Sequence, residues 1–181
     1  NVTNILYAFL GICGPNESMR SEFAGAYNAI KTNCANKKDY EVTIIDNFAA
    51  LEKSYSGDKW DDPIKGNFGQ LRRLKAALPK LHIAPSIGGW SMSEPFYSMA
   101  SNAANRATFV ASLAAFLRTY DFFDGVDIDW EYPGGGGATA GAGSSADAQG
   151  YADLMRDIRA MLDTLATEKK HSYQLTSAVG A

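Results

Sequence analysis

The 181-residue chain has little of several things on which whole classes of protein depend. It holds two histidines, His82 and His171, in separate segments, so no histidine-built zinc site is expected. No apolar run reaches the length of a bilayer span, so no membrane partner is expected. Lys and Arg number 17 against 20 Asp and Glu, for a net charge of −3, and there is no basic patch of the kind nucleic acid requires. The opening Asn1-Val2-Thr3-Asn4 runs directly into a strand-like segment, without the basic and apolar regions of a signal peptide. No Gly-Lys-Ser or Gly-Lys-Thr follows the glycine-rich stretch 134–150, which disfavours a phosphate-binding loop. No cofactor is implied. With 46% hydrophobic residues, the composition is that of an ordinary globular protein.

What is present is concentrated in one run, Phe122-Phe123-Asp124-Gly125-Val126-Asp127-Ile128-Asp129-Trp130-Glu131-Tyr132-Pro133. Side chains alternate along a strand, so Asp127, Asp129 and Glu131 share one face, with Val126, Ile128 and Trp130 on the other. A buried row of carboxylates is costly unless its members share protons or hydrogen bonds. The member that stays protonated can act as a general acid. Glu131, at the end of the strand and just before Pro133, is the candidate; Asp129 is its neighbour and Asp127 lies one step deeper. Asp124 has the opposite parity and is assigned a supporting, structural role. Three other readings stay open: a hard-cation site for Mg²⁺ or Ca²⁺, a D-x-D phosphatase nucleophile, and a purely structural network. Trp130 and Tyr132 weigh against the first two, because aromatic rings beside carboxylates suit the apolar faces of sugars.

Strand and helix patterns alternate, which predicts α/β units around a parallel sheet. Strands are expected at Ile5–Leu10, Leu81–Ile87, Phe122–Glu131 and Tyr173–Val179, with a short extra strand within Glu41–Asp46. Helical periodicity is clear from Phe109 to Tyr120 and from Tyr151 to Leu165, with further helices over Phe68–Leu78, ended by Pro79, and Glu22–Lys31. The Gly-, Ala- and Ser-rich stretch 134–150 is expected to be a loop forming a mobile wall of the catalytic face.

The spacing D-x-x-D-x-D-x-E at Asp124, Asp127, Asp129 and Glu131 resembles the signature of the family 18 glycoside hydrolases, the chitinases. Ser86-Ile87-Gly88-Gly89-Trp90 is similar to that family's S-x-G-G strand motif, and Tyr7-Ala8-Phe9 to its second-strand segment. The stretch from Lys59-Trp60-Asp61-Asp62-Pro63 through Gly66-Asn67-Phe68-Gly69-Gln70-Leu71 is similar to the bacterial chitinase A enzymes. The resemblance implies a partial TIM (β/α)8 barrel comprising strands two to five, in an incomplete catalytic domain over residues 1–181 whose remaining portions lie outside this chain.

It also implies a reaction: retaining, substrate-assisted hydrolysis of β-1,4-linked N-acetylglucosamine in chitin or chito-oligosaccharides. Glu131 would be the acid, Asp129 would orient the acetamide, and Asp127 would share a proton with Asp129. Trp90, Tyr132, Phe9 and Tyr7 are the implied sugar contacts, with Gly88 and Gly89 as tight structural positions. Cis peptide bonds are expected at Ala8–Phe9 and Glu131–Tyr132. Trp60 is divided evenly between the loop surface and the core. The parent enzyme would be secreted and monomeric. Secretion favours a Cys13–Cys34 disulfide over two independent thiols. The rival activities are an endo-β-N-acetylglucosaminidase on N-glycans and a chitin-binding lectin, which commonly lacks the acid at the position of Glu131. The 181-residue chain alone is expected to be inactive, because half a barrel leaves sheet edges and a core face uncovered.

Overall fold

The computed structural model describes residues 2–179. Five strands form one sheet: β1 (Asn4–Ile12), β2 (Val42–Ile44), β3 (His82–Gly88), β4 (Gly125–Asp129) and β5 (Gln174–Ser177). Their order across the sheet is β2-β1-β3-β4-β5, with β1, β3, β4 and β5 parallel and β2 antiparallel to β1. The parallel strands therefore neighbour one another in chain order, as in consecutive β/α units of a barrel.

Five α-helices accompany the sheet among the described residues: α1 (Ala24–Asn33), α2 (Gly66–Ala77), α3 (Glu94–Ala100), α4 (Ala103–Thr119) and α5 (Asp147–Lys169). In α4 the Asn102 side chain accepts the amide hydrogens of Ala104 and Asn105 at 2.9 and 3.2 Å, a cap worth about 1 kcal/mol. In α5 the buried Leu154, Ile158, Leu162 and Leu165 line one face, and Lys170 ends the helix in a left-handed conformation. Helix α3, with Pro95 in its first turn, has no counterpart among the expected elements. The observed bounds otherwise lie within a few residues of those expected, except that β4 starts three residues later and α4 six residues earlier than the apolar pattern suggests.

The core fills the space between sheet and helices. Phe68 of α2 is its hub, with Tyr7, Phe116, Tyr120, Phe122 and Phe123 edge-on at centroid distances of 4.9 to 6.1 Å. Val126, Ile128 and Trp130 join it from β4 and the residue just past it, so the opposite parity of that segment faces away from the helices. Cys13, just past β1, is joined to Cys34, just past α1, and no free cysteine remains. In the loop-entropy account, closing this 21-residue separation stabilises the fold by about 3 kcal/mol.

Candidate active site

The register explains how the acids are held. Ser86 on β3 and Thr176 on β5 are the partners of Asp127 on either side. Both hydroxyls donate to it, Ser86 Oγ to Oδ2 at 2.6 Å and Thr176 Oγ1 to Oδ1 at 2.7 Å. Asp129, two residues on, is 9% exposed and lies beside Gly88 in the register. Burial raises its pKa first, and the charges of Glu131 and then Asp127 raise it further. Among the described residues no lysine, arginine or histidine pairs with Asp127, Asp129 or Glu131. Nor do any three or more His, Cys, Asp or Glu side chains there form a group that could hold a metal ion.

Glu131 stands just beyond β4 and is half-buried. Its backbone N–H donates to Ser93 Oγ at 2.9 Å, and that hydroxyl, 1% exposed, donates to the Gly89 carbonyl at 2.9 Å. The next carbonyl, of Tyr132, accepts the Tyr97 hydroxyl at 3.2 Å. The Tyr132 phenol has its pKa raised by hydrogen bonding to the neighbouring Glu131 carboxylate and by its charge. Trp90, 49% exposed, meets Tyr132 edge-on with centroids 6.4 Å apart. Phe9 lies against Gly89, where a Cβ would come within 3.0 to 3.3 Å of its ring. At Gly88, φ is +108° and a Cβ would overlap the Asp129 carbonyl oxygen, so only glycine lets β3 end this close to the acids. Both Ala8–Phe9 and Glu131–Tyr132 are cis.

Beside Trp90 runs a groove of about 550 Å³, whose lining includes Phe23, Glu94, Ala138, Thr139 and Ala140. The site thus combines a carboxyl whose pKa is raised, Asp129, with a second acid beside it, Glu131, a third fixed by two hydroxyls, Asp127, and aromatic surfaces next to them. Such a set can donate a proton, orient an amide N–H and stack on a sugar ring.

Asp124 lies at the other end of β4. Its carboxylate, 2% exposed, accepts the Ile83 N–H at 2.8 Å and meets Lys75 Nζ at 2.8 Å and His171 Nε2 at 2.9 Å. It ties the start of β4 to β3, α2 and the α5–β5 turn.

Two expectations need correction, those for Tyr7 and Trp130. Tyr7 does not stand at the base of the cleft: its ring packs edge-on against Phe68 at 5.1 Å, on the helix side of β1. Trp130 belongs to the core, 1% exposed, stacked on Phe96 and edge-on to Tyr97, so it is no neighbour of a bound sugar. Of the two places open to Trp60, loop surface and core, it takes the surface, 90% exposed. The glycine-rich loop is tied down at both ends by Asp147, whose carboxylate accepts from Gly134 and Ser144. Thr176, Ser93, Tyr97 and Asp147 are not marked in the sequence, and Ser86, part of the S-x-G-G motif, is not marked there as a partner of Asp127. The partners of Ser86, Thr176, Ser93 and Tyr97 lie 35 to 49 residues away, and no local pattern marks them.

Parallel β/α units with carboxylates gathered at the C-terminal end of a central strand define the chain as part of an α/β barrel. The chain belongs to the glycosyl hydrolases family 18, whose family model matches residues 1–181. It is 50% identical over 183 residues to Chitinase A of Pseudoalteromonas piscicida, covering 100% of this chain and 22% of that protein. It is 44% identical over 186 residues to a probable endochitinase of Orgyia pseudotsugata multicapsid polyhedrosis virus, covering 100% of this chain and 34% of that one. Among solved structures it resembles the chitinase ChiA74 from Bacillus thuringiensis, at 34% identity and a TM-score of 0.82, over 97% of this chain and 30% of that chain. The chain therefore spans about a fifth to a third of the length of these relatives, and its sheet is a partial barrel.

Proposed function

We propose that this chain supplies strands two to five of the catalytic barrel of a secreted chitinase, which hydrolyses β-1,4-linked N-acetylglucosamine chains by a retaining, substrate-assisted route. The carrying observation is the uncompensated carboxylate row Asp127–Asp129–Glu131, with its raised Asp129, beside the Trp90–Tyr132 aromatic pair. In this reading Glu131 gives its proton to the glycosidic oxygen as the C–O bond breaks. The substrate's N-acetyl carbonyl oxygen attacks the anomeric carbon and forms an oxazolinium ion. Asp129 accepts the acetamide N–H and stabilises the positive charge. Asp127, its two oxygens fixed by Ser86 and Thr176, receives the proton that Asp129 gives up. Water, deprotonated by Glu131, then opens the ring with retention. Trp90 and Tyr132 stack on sugar units of the leaving group, and Phe9 supports Trp90's loop through Gly89. The presence of Glu131 favours an enzyme over a lectin.

The test is turnover of a fluorogenic chitotriose by two proteins. One is the 181-residue chain. The other is Pseudoalteromonas piscicida Chitinase A with its matching segment exchanged for this chain. The exchanged enzyme is expected to turn over and to lose about 10²–10⁴-fold of its rate with Glu131→Gln, while the chain alone stays silent. An exchanged enzyme indifferent to Glu131→Gln would refute the assignment. Release of product from N-glycans instead of chitotriose would favour the endo-β-N-acetylglucosaminidase.

A further inference from the structure

We propose that Asp147 is a positioning residue of the cleft: by clamping the 134–146 loop it sets the wall that faces Trp90 and the backbone beside Glu131. The inference rests on the sugar-cleft reading above.

Asp147 opens α5 and is 5% exposed. No cation pairs with it among the described residues. A buried carboxylate without a counter-charge is costly and needs hydrogen bonds. All three side-chain bonds that it accepts come from the loop: Gly134 N–H at 3.0 Å, Ser144 N–H at 3.0 Å and Ser144 Oγ at 3.1 Å. They grip the loop at both ends.

The loop has little of its own to hold it beyond two turn hydrogen bonds, Gly135 N–H to the Tyr132 carbonyl at 2.8 Å and Ala142 N–H to the Thr139 carbonyl at 3.2 Å. Between the clamped residues it contains only Gly, Ala and Thr, with no large side chain to bury. Gly134, Gly135, Gly136, Gly141 and Gly143 all have positive φ. Ordering so permissive a stretch costs conformational entropy that its own contacts cannot repay. The clamp supplies the missing constraint.

The clamped loop then reaches two parts of the site. At Gly137 it lies so close to Glu131 that a Cβ there would overlap the Glu131 carbonyl oxygen. Its tip, Ala138–Thr139–Ala140, forms the side of the groove beside Trp90, and Thr139 Oγ1 lies 3.4 Å from Ser18 Oγ across it. Removing the carboxylate releases the wall while leaving Glu131, Trp90 and Tyr132 chemically intact. The consequence should scale with how far a sugar chain extends into the groove.

The experiment compares the chain with its Asp147→Ala, Asp147→Asn and Ser144→Ala variants. Two readouts are taken, with near-UV circular dichroism to verify folding. Elastase, which cuts after small residues, tests the loop through Ala138, Ala140 and Ala142. Tryptophan fluorescence, against a Trp60→Phe background, gives the affinities for chitohexaose and chitobiose. Hydrogen bonds to a carboxylate are of the stronger kind. Asp147→Ala is therefore expected to speed loop cleavage about tenfold or more and to weaken chitohexaose binding by about tenfold, with chitobiose changed less than about twofold. Asp147→Asn, which keeps one acceptor oxygen, and Ser144→Ala should fall between. A merely structural Asp147 would lower the melting temperature and leave the ratio of the two affinities unchanged; that result would overturn the proposal. If Asp147→Ala does not fold, unchanged cleavage and affinity in the other two variants would overturn it equally. Should the 181-residue chain bind neither sugar, the same variants are compared in the exchanged Chitinase A carrying Glu131→Gln, and absence of sugar binding there would overturn the sugar-cleft reading and the cleft role of Asp147 with it.

Discussion

Asp124 and Asp129 lie five residues apart on one chain segment, both nearly out of contact with solvent, yet they live in opposite surroundings. Asp124 has the Lys75 ammonium, the His171 imidazole and a backbone N–H as partners. Asp129 has two other acids, and its pKa is raised. A buried carboxylate that is fully compensated can only hold the fold together. One left without a counter-charge holds a proton more tightly than usual and is suited to exchanging it. On the proposed reading the parallel strands carry structure at their N-terminal ends and reactivity at their C-terminal ends, the division that an α/β barrel makes generally.

The contrast can be broken most forcefully at Asp124. Asp124→Ala strands Lys75 and the Ile83 N–H in a largely buried place, and a loss of about 3–5 kcal/mol is expected in urea unfolding. Loss below about 1 kcal/mol would show that the base of the sheet does not depend on it. At the other end, Ser93→Ala leaves the Glu131 N–H without its acceptor. It should cost about 1–3 kcal/mol of stability, and in the exchanged enzyme it should lower kcat with KM little changed. A shift confined to KM would mean that Ser93 serves the Trp90 loop and not the acid.

Asp129→Asn should act in the reverse direction and stabilise. A raised native pKa means that the native state binds a proton more tightly than the unfolded chain. The group's stabilising contribution is then complete below the unfolded carboxylate pKa and is lost as pH rises through the raised native value. The neutral amide escapes that loss. Its melting temperature at pH 7 should exceed the parent's by a few degrees, for a gain on the order of 1 kcal/mol. The advantage should vanish as pH falls below the ordinary carboxylate range. A constant advantage at all pH values would locate the effect in packing instead of charge. The smallest effect is expected from His171→Ala, because Lys75 still pairs with Asp124 and His171 is 38% exposed: about 0.5–1 kcal/mol, read as a shift in the denaturation midpoint.

Much of this division is legible in the sequence. The period of two in Asp127, Asp129 and Glu131 assigns them to one face whatever surrounds them, and the odd parity of Asp124 separates it from them. What is not legible depends on distant partners. Nothing near Ser86 or Thr176 reveals that they will flank Asp127, because sheet register is set by the whole fold. Tyr7 shows the limit of motif reasoning. It sits one residue before the cis bond that precedes Phe9, inside a recognisable segment, yet its own parity places it with Ile5 on the helix side of β1. Trp130 fails for the same reason: adjacency to acids along the chain places it on the opposite face from them. Asp147 was hidden by its setting, a single acid at the far end of a low-complexity stretch.

The Cys13–Cys34 bond has a practical consequence for observing the cleft. Because both sulfurs are joined, the chain offers a maleimide reagent no thiol of its own. A cysteine introduced at Ala140, on the tip of the glycine-rich loop, would be the single point of attachment for a spin label or fluorophore. The same bond that closes the segment from Cys13 to Cys34 thus makes the opposite wall of the groove addressable by spectroscopy, one probe at a time.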